Sequence, residues 1–168
     1  MTISNQRQKQ LNEAYERYAD MLYHLALSYM QSREDAEDVV QEVFCKYMMK
    51  TPVFTDDAHE KAWFIRVTMN QCRDLLRHHK VRRYTPLHEI EEIVAQTGVT
   101  DEGALDVMHM LSFLPDKLRS AVILHYLEGL SVEETAAALG TGKSAVKMRL
   151  ARARELLKDT ITKEDGHV

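Results

Sequence analysis

Basic and small polar side chains recur at helical spacing near the carboxyl end of the 168-residue sequence. Positions 141–158 carry six Lys or Arg residues and one Glu, although the whole chain has a net charge of −4. A helix of this composition can place side chains against base edges in the major groove of DNA, while its arginines contact phosphates. The candidate DNA contacts are Lys143, Ser144, Lys147, Met148, Arg149, Arg152 and Arg154.

A helix-turn-helix is the element that would position these side chains. Ser131 and Glu134 have the spacing of a capping box, which satisfies backbone amides at a helix start. The glycines of residues 140–142 predict a tight turn, and Thr141 or Gly142 would cap the longer helix that follows. The apolar stripe of that helix is Val146, Leu150, Ala153 and Leu157. A solvated basic helix is the alternative, but the three signals together favour DNA binding.

A second basic segment, with a net charge of +6 over residues 61–83, follows a loop. We expect a helix from about His59 to Lys80. Basic and amide side chains on one face, with aromatic rings near the helix start, suit single-stranded or melted nucleic acid, because bases can stack on the rings. The candidate contacts are Phe54, Lys61, Trp63, Phe64, Arg66, Asn70, Arg73 and Arg77. For Trp63, a place in the core is the alternative.

An acidic helix is expected before that loop. Ser32 is its expected N-cap, and Asp35 lies in the first turn, where the helix dipole favours a carboxylate. Its apolar stripe is Ala36, Val39, Val40, Val43, Phe44 and Tyr47, and its outer face carries Glu34, Asp38, Gln41 and Glu42. A still earlier helix has Tyr15, Tyr18, Leu22, Leu25 and Tyr29 on one face.

The whole chain is predicted to be all-α, with two small helical domains joined by an acidic linker. The N-terminal domain spans 1–83, the linker 84–103, and the C-terminal domain 104–168, which ends in a short tail. Residues 84–110 contain six acidic residues and no Lys or Arg, and a short helix is expected at 90–95. In the C-terminal domain we expect a helix over 104–113 and another that starts at Pro115. The second of these would pack through Leu118, Val122, Leu124 and Tyr126.

Several other classes of protein are disfavoured. No apolar run reaches the roughly 18–20 residues of a membrane span, and the N-terminus lacks the apolar core of a signal peptide, so we expect a cytoplasmic protein without membrane insertion. Cys45 and Cys72 are expected to be buried, reduced thiols. A di-iron bundle needs Glu-x-x-His pairs from two helices, and the sequence does not supply them. Asp106 and His109, at the same spacing, are expected on the surface. We therefore predict no catalytic residue, no metal site and no cofactor.

Four segments together resemble the sigma-70 family of bacterial transcription initiation factors, in particular its small group IV, or extracytoplasmic function (ECF), members. Glu34–Phe44 is similar to the family's second conserved region, and Ala62–Asn70 resembles the helix whose Trp, Arg and Asn are family landmarks. Leu114–Pro115 and Leu130–Leu157 resemble the family's C-terminal domain. The resemblance covers about residues 15–158, nearly the whole chain.

The resemblance implies a promoter-specificity subunit of RNA polymerase. The N-terminal domain would bind the clamp of the polymerase core through Asp38, Gln41 and Glu42 and would recognise the minus-ten element. The C-terminal domain would recognise the minus-thirty-five element. The family also places a pocket for a flipped minus-ten base at the loop before the third helix and at Asn70. A brace for the loop is the alternative role for Asn70.

The implied partners are the polymerase core, promoter DNA and an anti-sigma factor. Two rival functions stay open at this point. An ordinary helix-turn-helix regulator with a sensory or dimerising N-terminal domain would bind a palindrome as a dimer, but it leaves the basic segment 61–83 unexplained. A pure interaction module held silent by an inhibitor is the second rival.

Overall fold

Six α-helices make up the regular structure of the residues that the computed structural model describes, namely 2–78, 111 and 113–165, with side chains described to residue 159. The chain divides into two compact units, Met1–Arg83 and Tyr84–Val168. The first contains α1 (Ile3–Met30), α2 (Arg33–Lys50) and α3 (Asp57–His78). The second contains α4 (Asp116–Val122), a π-helical turn (Ile123–Leu127), α5 (Val132–Leu139) and α6 (Lys143–Asp165). No strand occurs in this part of the chain, so the all-α prediction is confirmed.

The three helices of the first unit pack against one another around apolar stripes that recur at helical spacing. The stripe of α2 is buried from Ala36 to Phe44, with Val39 and Val43 fully inaccessible to solvent, whereas Tyr47 at its end is only partly buried. The Ser32 hydroxyl accepts a hydrogen bond from the Asp35 amide at 3.4 Å and caps α2. At the other end, Thr51 adopts a left-handed conformation with φ of 43°, which stops the helix and turns the chain into the loop before α3.

Phe64 lies at the centre of this unit rather than on its surface. Its ring centroid is 4.9 Å from that of Tyr18, 5.3 Å from Phe44 and 5.2 Å from Tyr47, and its side chain is 0% exposed. The prediction that Phe64 contacts DNA is therefore corrected. The helix α3 packs against both α1 and α2, so its buried arc is wider than one stripe and takes in Phe64 and Thr68.

Two further expectations in this unit need correction. Tyr15 is 54% exposed, although its ring centroid lies 5.1 Å from that of Phe44. Cys45 is exposed and only Cys72 is buried. The position of Cys45 on α2 lies outside the buried stripe, so the thiol points away from the core.

The helix-turn-helix of the second unit forms as the sequence predicts. The Glu134 amide donates to the Ser131 hydroxyl at 3.0 Å, and the Ser131 amide donates to the Glu134 carboxylate at 3.1 Å, which completes the capping box. Gly140 ends α5 with φ of 66°, a conformation that glycine adopts without steric cost. The Val146 amide donates to the Gly142 carbonyl at 3.2 Å, so Gly142 rather than Thr141 is the cap of α6.

A π-helical turn precedes the helix-turn-helix, and the sequence did not predict it. The extra residue in such a turn rotates the following side chains, and Tyr126 is 51% exposed instead of packed. The Leu130 amide donates to the Leu124 carbonyl at 2.9 Å, and the His125 ring nitrogen Nδ1 lies 2.7 Å from the Leu130 carbonyl oxygen. These contacts fix the short connection that ends at Ser131.

Several expectations fall outside the described residues. They are the linker over 84–103, its short helix at 90–95, the helix over 104–110, and the Asp106 and His109 pair. Pro115 is the N-cap of α4, so that helix begins one residue later than expected, at Asp116.

Candidate nucleic-acid and protein interfaces

The helix α6 presents a basic face opposite its buried stripe. Val146 and Ala153 are 0% exposed and Leu150 is 4% exposed, which fixes the orientation of the helix against α4 and α5. The residues at i, i+3, i+4 and i+7 on the other side are all exposed: Ser144, Lys147, Met148 and Ala151. Met148 is 73% exposed, which is unusual for a large apolar side chain unless a partner covers it. This arrangement can enter a major groove with its small and long side chains towards the base edges.

The basic side chains along α6 differ in how the protein holds them. Lys143 donates to the Glu133 carboxylate at 2.8 Å, and Arg154 donates to the Tyr126 hydroxyl at 2.6 Å. Arg152 is exposed, and Arg149 is partly buried beside the apolar stripe. Two of the predicted DNA contacts are therefore already engaged by neighbouring helices in the free protein.

The basic face of α3 also forms. Arg66, Asn70 and Arg77 are exposed and Arg73 is partly buried, so these four side chains share a side of the helix away from the core. Arg77 lies 3.7 Å from Asp74 in an i,i+3 ion pair, which is weak because both side chains are largely exposed. The charged side chains of this face are arginines, so the face suits contact with a phosphate backbone.

An aromatic cluster lies at the start of α3. The Trp63 ring centroid is 5.9 Å from Phe54 and 6.1 Å from Tyr47, and Phe54 meets the His59 ring edge-on at 5.4 Å. Trp63 and Phe54 are both partly exposed, so each offers one face to solvent. The loop is held by Asp56, whose carboxylate accepts the His59 amide at 2.7 Å and caps α3.

A cavity of about 490 Å³ opens between α1 and this loop. Its lining includes Phe54 and Tyr47, and four carboxylates surround the single cation Arg17: Glu13, Asp56, Asp57 and Glu60. Arg17 lies 3.6 Å from Asp57 and 3.8 Å from Glu60, and burial raises the pKa of the Glu60 carboxyl although Arg17 opposes that change. The sequence did not predict this cavity, because Glu13 and Arg17 lie on a helix far away in the chain.

Asn70 is not part of that cavity. It lies eleven residues beyond His59 on α3, about 16 Å along the helix axis. The lining contains Phe54 and Asp56 but neither Lys61, His59 nor Asn70. The cavity is therefore separate from Asn70, and the base pocket expected at the loop and Asn70 stays a prediction.

The outer face of α2 carries the three side chains assigned to the polymerase clamp. Asp38, Gln41 and Glu42 are all exposed and lie at i, i+3 and i+4 on one side of the helix. Cys45 and Met49 continue the same face, and Met49 is 83% exposed. The face is therefore acidic at its amino end and apolar at its carboxyl end, which is a combination that protein interfaces use.

The described residues contain neither a metal-binding cluster nor a membrane-spanning helix. Within them, no group of three or more His, Cys, Asp or Glu side chains is arranged to hold a metal ion. No helix in that part of the chain is both long enough and apolar enough to span a bilayer.

Comparison with protein families matches two profiles. Residues 14–94 match Sigma-70 region 2, and residues 104–157 match Sigma-70, region 4. The ECF RNA polymerase sigma factor SigM of Mycobacterium tuberculosis is 32% identical over 146 residues, which is 87% of this chain and 74% of that protein. The RNA polymerase sigma factor SigV of Bacillus subtilis is 33% identical over 144 residues, covering 85% of this chain and 86% of that protein.

Two solved structures have folds similar to that of this chain. CnrH, in complex with the cytosolic domain of CnrY, is 26% identical with a TM-score of 0.71, covering 93% of this chain and 90% of that one. The sigma factor RpoE of Bartonella quintana, in complex with the anti-sigma factor NepR, gives a TM-score of 0.66 at 24% identity, covering 92% and 96% of the two chains.

Proposed function

Since this chain belongs to the sigma-70 family, as an ECF RNA polymerase sigma factor, we propose which of its surfaces perform each step of initiation. The protein binds the RNA polymerase core and directs it to promoters. Sigma factors are initiation factors rather than enzymes, so the assignments concern binding surfaces and include no catalytic residue.

The face of α6 around Lys147 recognises the minus-thirty-five element. The observation that carries this assignment is the exposure of Ser144, Lys147 and Met148 directly opposite a fully buried stripe. Ser144 and Lys147 would contact base edges, because short and flexible side chains at the amino end of a recognition helix reach the groove floor. The arginines farther along the helix would contact phosphates and fix its register.

The face of α3 binds the minus-ten element once it opens. Arg66, Arg73 and Arg77 would hold the backbone of one strand, and Asn70 would hydrogen-bond to a base edge with its amide. Trp63 and Phe54 present partly exposed rings on which unpaired bases could stack. Extrusion of a base costs a few kcal/mol, which such contacts can offset without ATP hydrolysis.

The acidic face of α2 binds the clamp of the polymerase core. Asp38, Gln41 and Glu42 are exposed, and the buried stripe of α2 lies on the other side of the helix. Because the polymerase core is the partner, the protein would act in the cytoplasm. An anti-sigma factor would hold it when it is not engaged; the similar CnrH was solved with the cytosolic domain of a partner, CnrY.

Run-off transcription with purified core polymerase on a promoter library tests the proposal. The full chain should support initiation from a subset of templates that share two sequence elements. Binding of the chain alone to a palindrome as a dimer, without any effect of core polymerase, would instead identify an ordinary helix-turn-helix regulator.

A further inference from the structure

An acidic side chain of α5 contacts a lysine of α6 across the turn of the helix-turn-helix. Glu133 is the second residue of α5 and Lys143 is the first residue of α6, and their Oε1 and Nζ atoms are 2.8 Å apart across the turn. Both side chains are mostly exposed, 69% for Glu133 and 61% for Lys143. The contact therefore lies on the surface and not in the core, and Lys143 is one of the residues proposed to contact DNA.

The carboxylate also lies near a second lysine. The hydrogen bond and charge of Lys143 hold the pKa of Glu133 below its ordinary value, and the charge of Lys147 acts in the same direction. Lys147 follows Lys143 by one helical turn and is exposed. Glu133 is thus ionised at neutral pH and sits beside two of the cations proposed to contact DNA.

Helix stability does not explain the lysine at this place. A cation at the amino end of a helix is disfavoured by the helix dipole, whereas a carboxylate is favoured there. Exposed ion pairs also contribute little to folding. The effect of the pair is electrostatic: it engages the ammonium group of Lys143, which would otherwise be open to a phosphate.

This charge acts differently on promoter and non-promoter DNA. Non-specific binding depends almost entirely on cations meeting phosphates, and the helix can shift to whichever position allows most of these contacts. On a promoter, contacts to base edges fix the register of the helix, so fewer alternative phosphate contacts are open to Lys143. A carboxylate that engages Lys143 therefore weakens non-specific binding more than specific binding.

We propose that Glu133 is a specificity-determining residue, which holds Lys143 across the helix-turn-helix and thereby lowers the affinity of the recognition helix for non-promoter DNA. The inference rests on the proposed function of α6. It assigns to Glu133 a positioning role that acts through Lys143, separate from the base contacts of Lys147.

The test compares reconstituted holoenzyme on two duplexes over a range of salt concentrations. One duplex carries an upstream element selected from a random library by wild-type holoenzyme, and the other carries the same bases scrambled. Glu133→Gln should tighten binding to the scrambled duplex severalfold, with a salt slope steeper by about one. Its effect on the selected duplex should be smaller, so that the ratio of the two affinities falls. Asp159→Asn, which removes the same charge from an exposed position of α6, is the matched control and should leave the ratio unchanged.

Two further variants decide the mechanism. In a Lys143→Gln background, Glu133→Gln should no longer steepen the salt slope, because there is no lysine to release. The swapped pair, Glu133→Lys with Lys143→Glu, should bring the ratio back towards the wild-type value, and it provides the test if Glu133→Gln does not fold.

The inference is overturned if Glu133→Gln behaves like Asp159→Asn, if it weakens both duplexes at an unchanged slope, or if its effect survives in the Lys143→Gln background. Wild-type holoenzyme that cannot distinguish the two duplexes would overturn the proposed role of α6 instead.

Discussion

The guanidinium of Arg154, in the middle of α6, donates a hydrogen bond of 2.6 Å to the hydroxyl of Tyr126 in the π-helical turn. The two residues are 28 positions apart in the chain. Tyr126 is 51% exposed in this turn, and its hydroxyl holds an arginine that is proposed to contact phosphate. One hydrogen bond therefore connects the π-helical turn to the basic face of α6 that is proposed to bind DNA.

The variant Tyr126→Phe tests whether that bond pre-orients Arg154. It keeps the ring and removes only the hydroxyl, so we expect a loss of less than about 1 kcal/mol in folding stability. Binding of holoenzyme should weaken severalfold on every promoter alike, since phosphate contacts carry no sequence information. Arg154→Ala should weaken binding further and reduce the salt slope by about one.

The double variant provides the control for this prediction. If Tyr126 acts through Arg154, then Tyr126→Phe combined with Arg154→Ala should bind no worse than Arg154→Ala alone, as gel-shift titrations would show. Additive losses in the double variant would mean that Tyr126 contacts DNA or polymerase independently.

The capping box at the start of α5 supports a prediction about stability. Ser131→Ala removes the acceptor of the Glu134 amide and should cost about 1 kcal/mol, within the range of about 0.5–2 kcal/mol for such caps. Ser131→Thr keeps a hydroxyl and should lose much less. Urea unfolding monitored by circular dichroism checks both values. An unchanged midpoint for Ser131→Ala would show that water satisfies the helix start equally well.

The sequence predicted much of this fold because its apolar residues follow the helical period closely. The stripes of α2 and α6 are buried as expected except at their last residues, Tyr47 and Leu157, which are partly buried, since each helix packs one face against its unit. The incorrect predictions occur where a helix does not pack through a single face at regular α-helical spacing. Phe64 is buried because α3 packs against two helices, and Tyr126 is exposed because a π-helical turn shifts the phase of its side chains.

The site was less predictable than the fold, for a physical reason. Residue type and spacing locate a basic face on one helix, but they do not say which side chains from other helices meet it. The contacts of Glu133 with Lys143 and of Tyr126 with Arg154 join separate helices, as does the contact of Arg17 with Glu60 beside the cavity. Each depends on packing that no local pattern encodes.

The outer face of α2 gives a prediction about holoenzyme assembly. Asp38→Arg with Glu42→Arg reverses two exposed charges and should abolish co-purification with core polymerase. Exposed substitutions usually change stability by only about half a kcal/mol, so helicity and melting temperature should stay close to wild type. Normal co-purification of the double variant would remove this face from the interface.

A matched control exists on α1. Glu16 and Asp20 are exposed and have the same i,i+4 spacing as Asp38 and Glu42. Glu16→Arg with Asp20→Arg makes the same change in net charge within the same unit. If this control variant co-purifies normally with core polymerase, the loss of co-purification in the α2 variant depends on the face of α2 and not on total charge.

The recognition helix allows base contacts and phosphate contacts to be separated. Arg152→Ala should weaken binding equally on all promoters and reduce the salt slope by about one. Lys147→Ala should instead change which upstream sequences are preferred, because each lost base contact is worth about 1–3 kcal/mol of discrimination. Selection from a randomised upstream library measures both effects. If the two variants lower every sequence to the same extent, α6 only holds the backbone and does not recognise bases.

Promoter opening gives the last prediction, which concerns Asn70. This residue is exposed on α3 between the turns that carry Arg66 and Arg73, and it lies about 16 Å along the helix from His59, away from the cavity beside the loop. Its amide can donate and accept hydrogen bonds, so it can recognise the edge of an unpaired base while the arginines hold the strand. Asn70→Ala should therefore leave assembly with core polymerase and closed-complex formation intact, but slow open-complex formation on duplex promoters. Permanganate footprinting follows the opening directly.

A template already mismatched across the minus-ten region should rescue most of the defect, because the cost of unpairing has been removed, while preference at one base stays lost. Normal opening with unchanged minus-ten preference in Asn70→Ala would leave Asn70 with at most a structural role in α3.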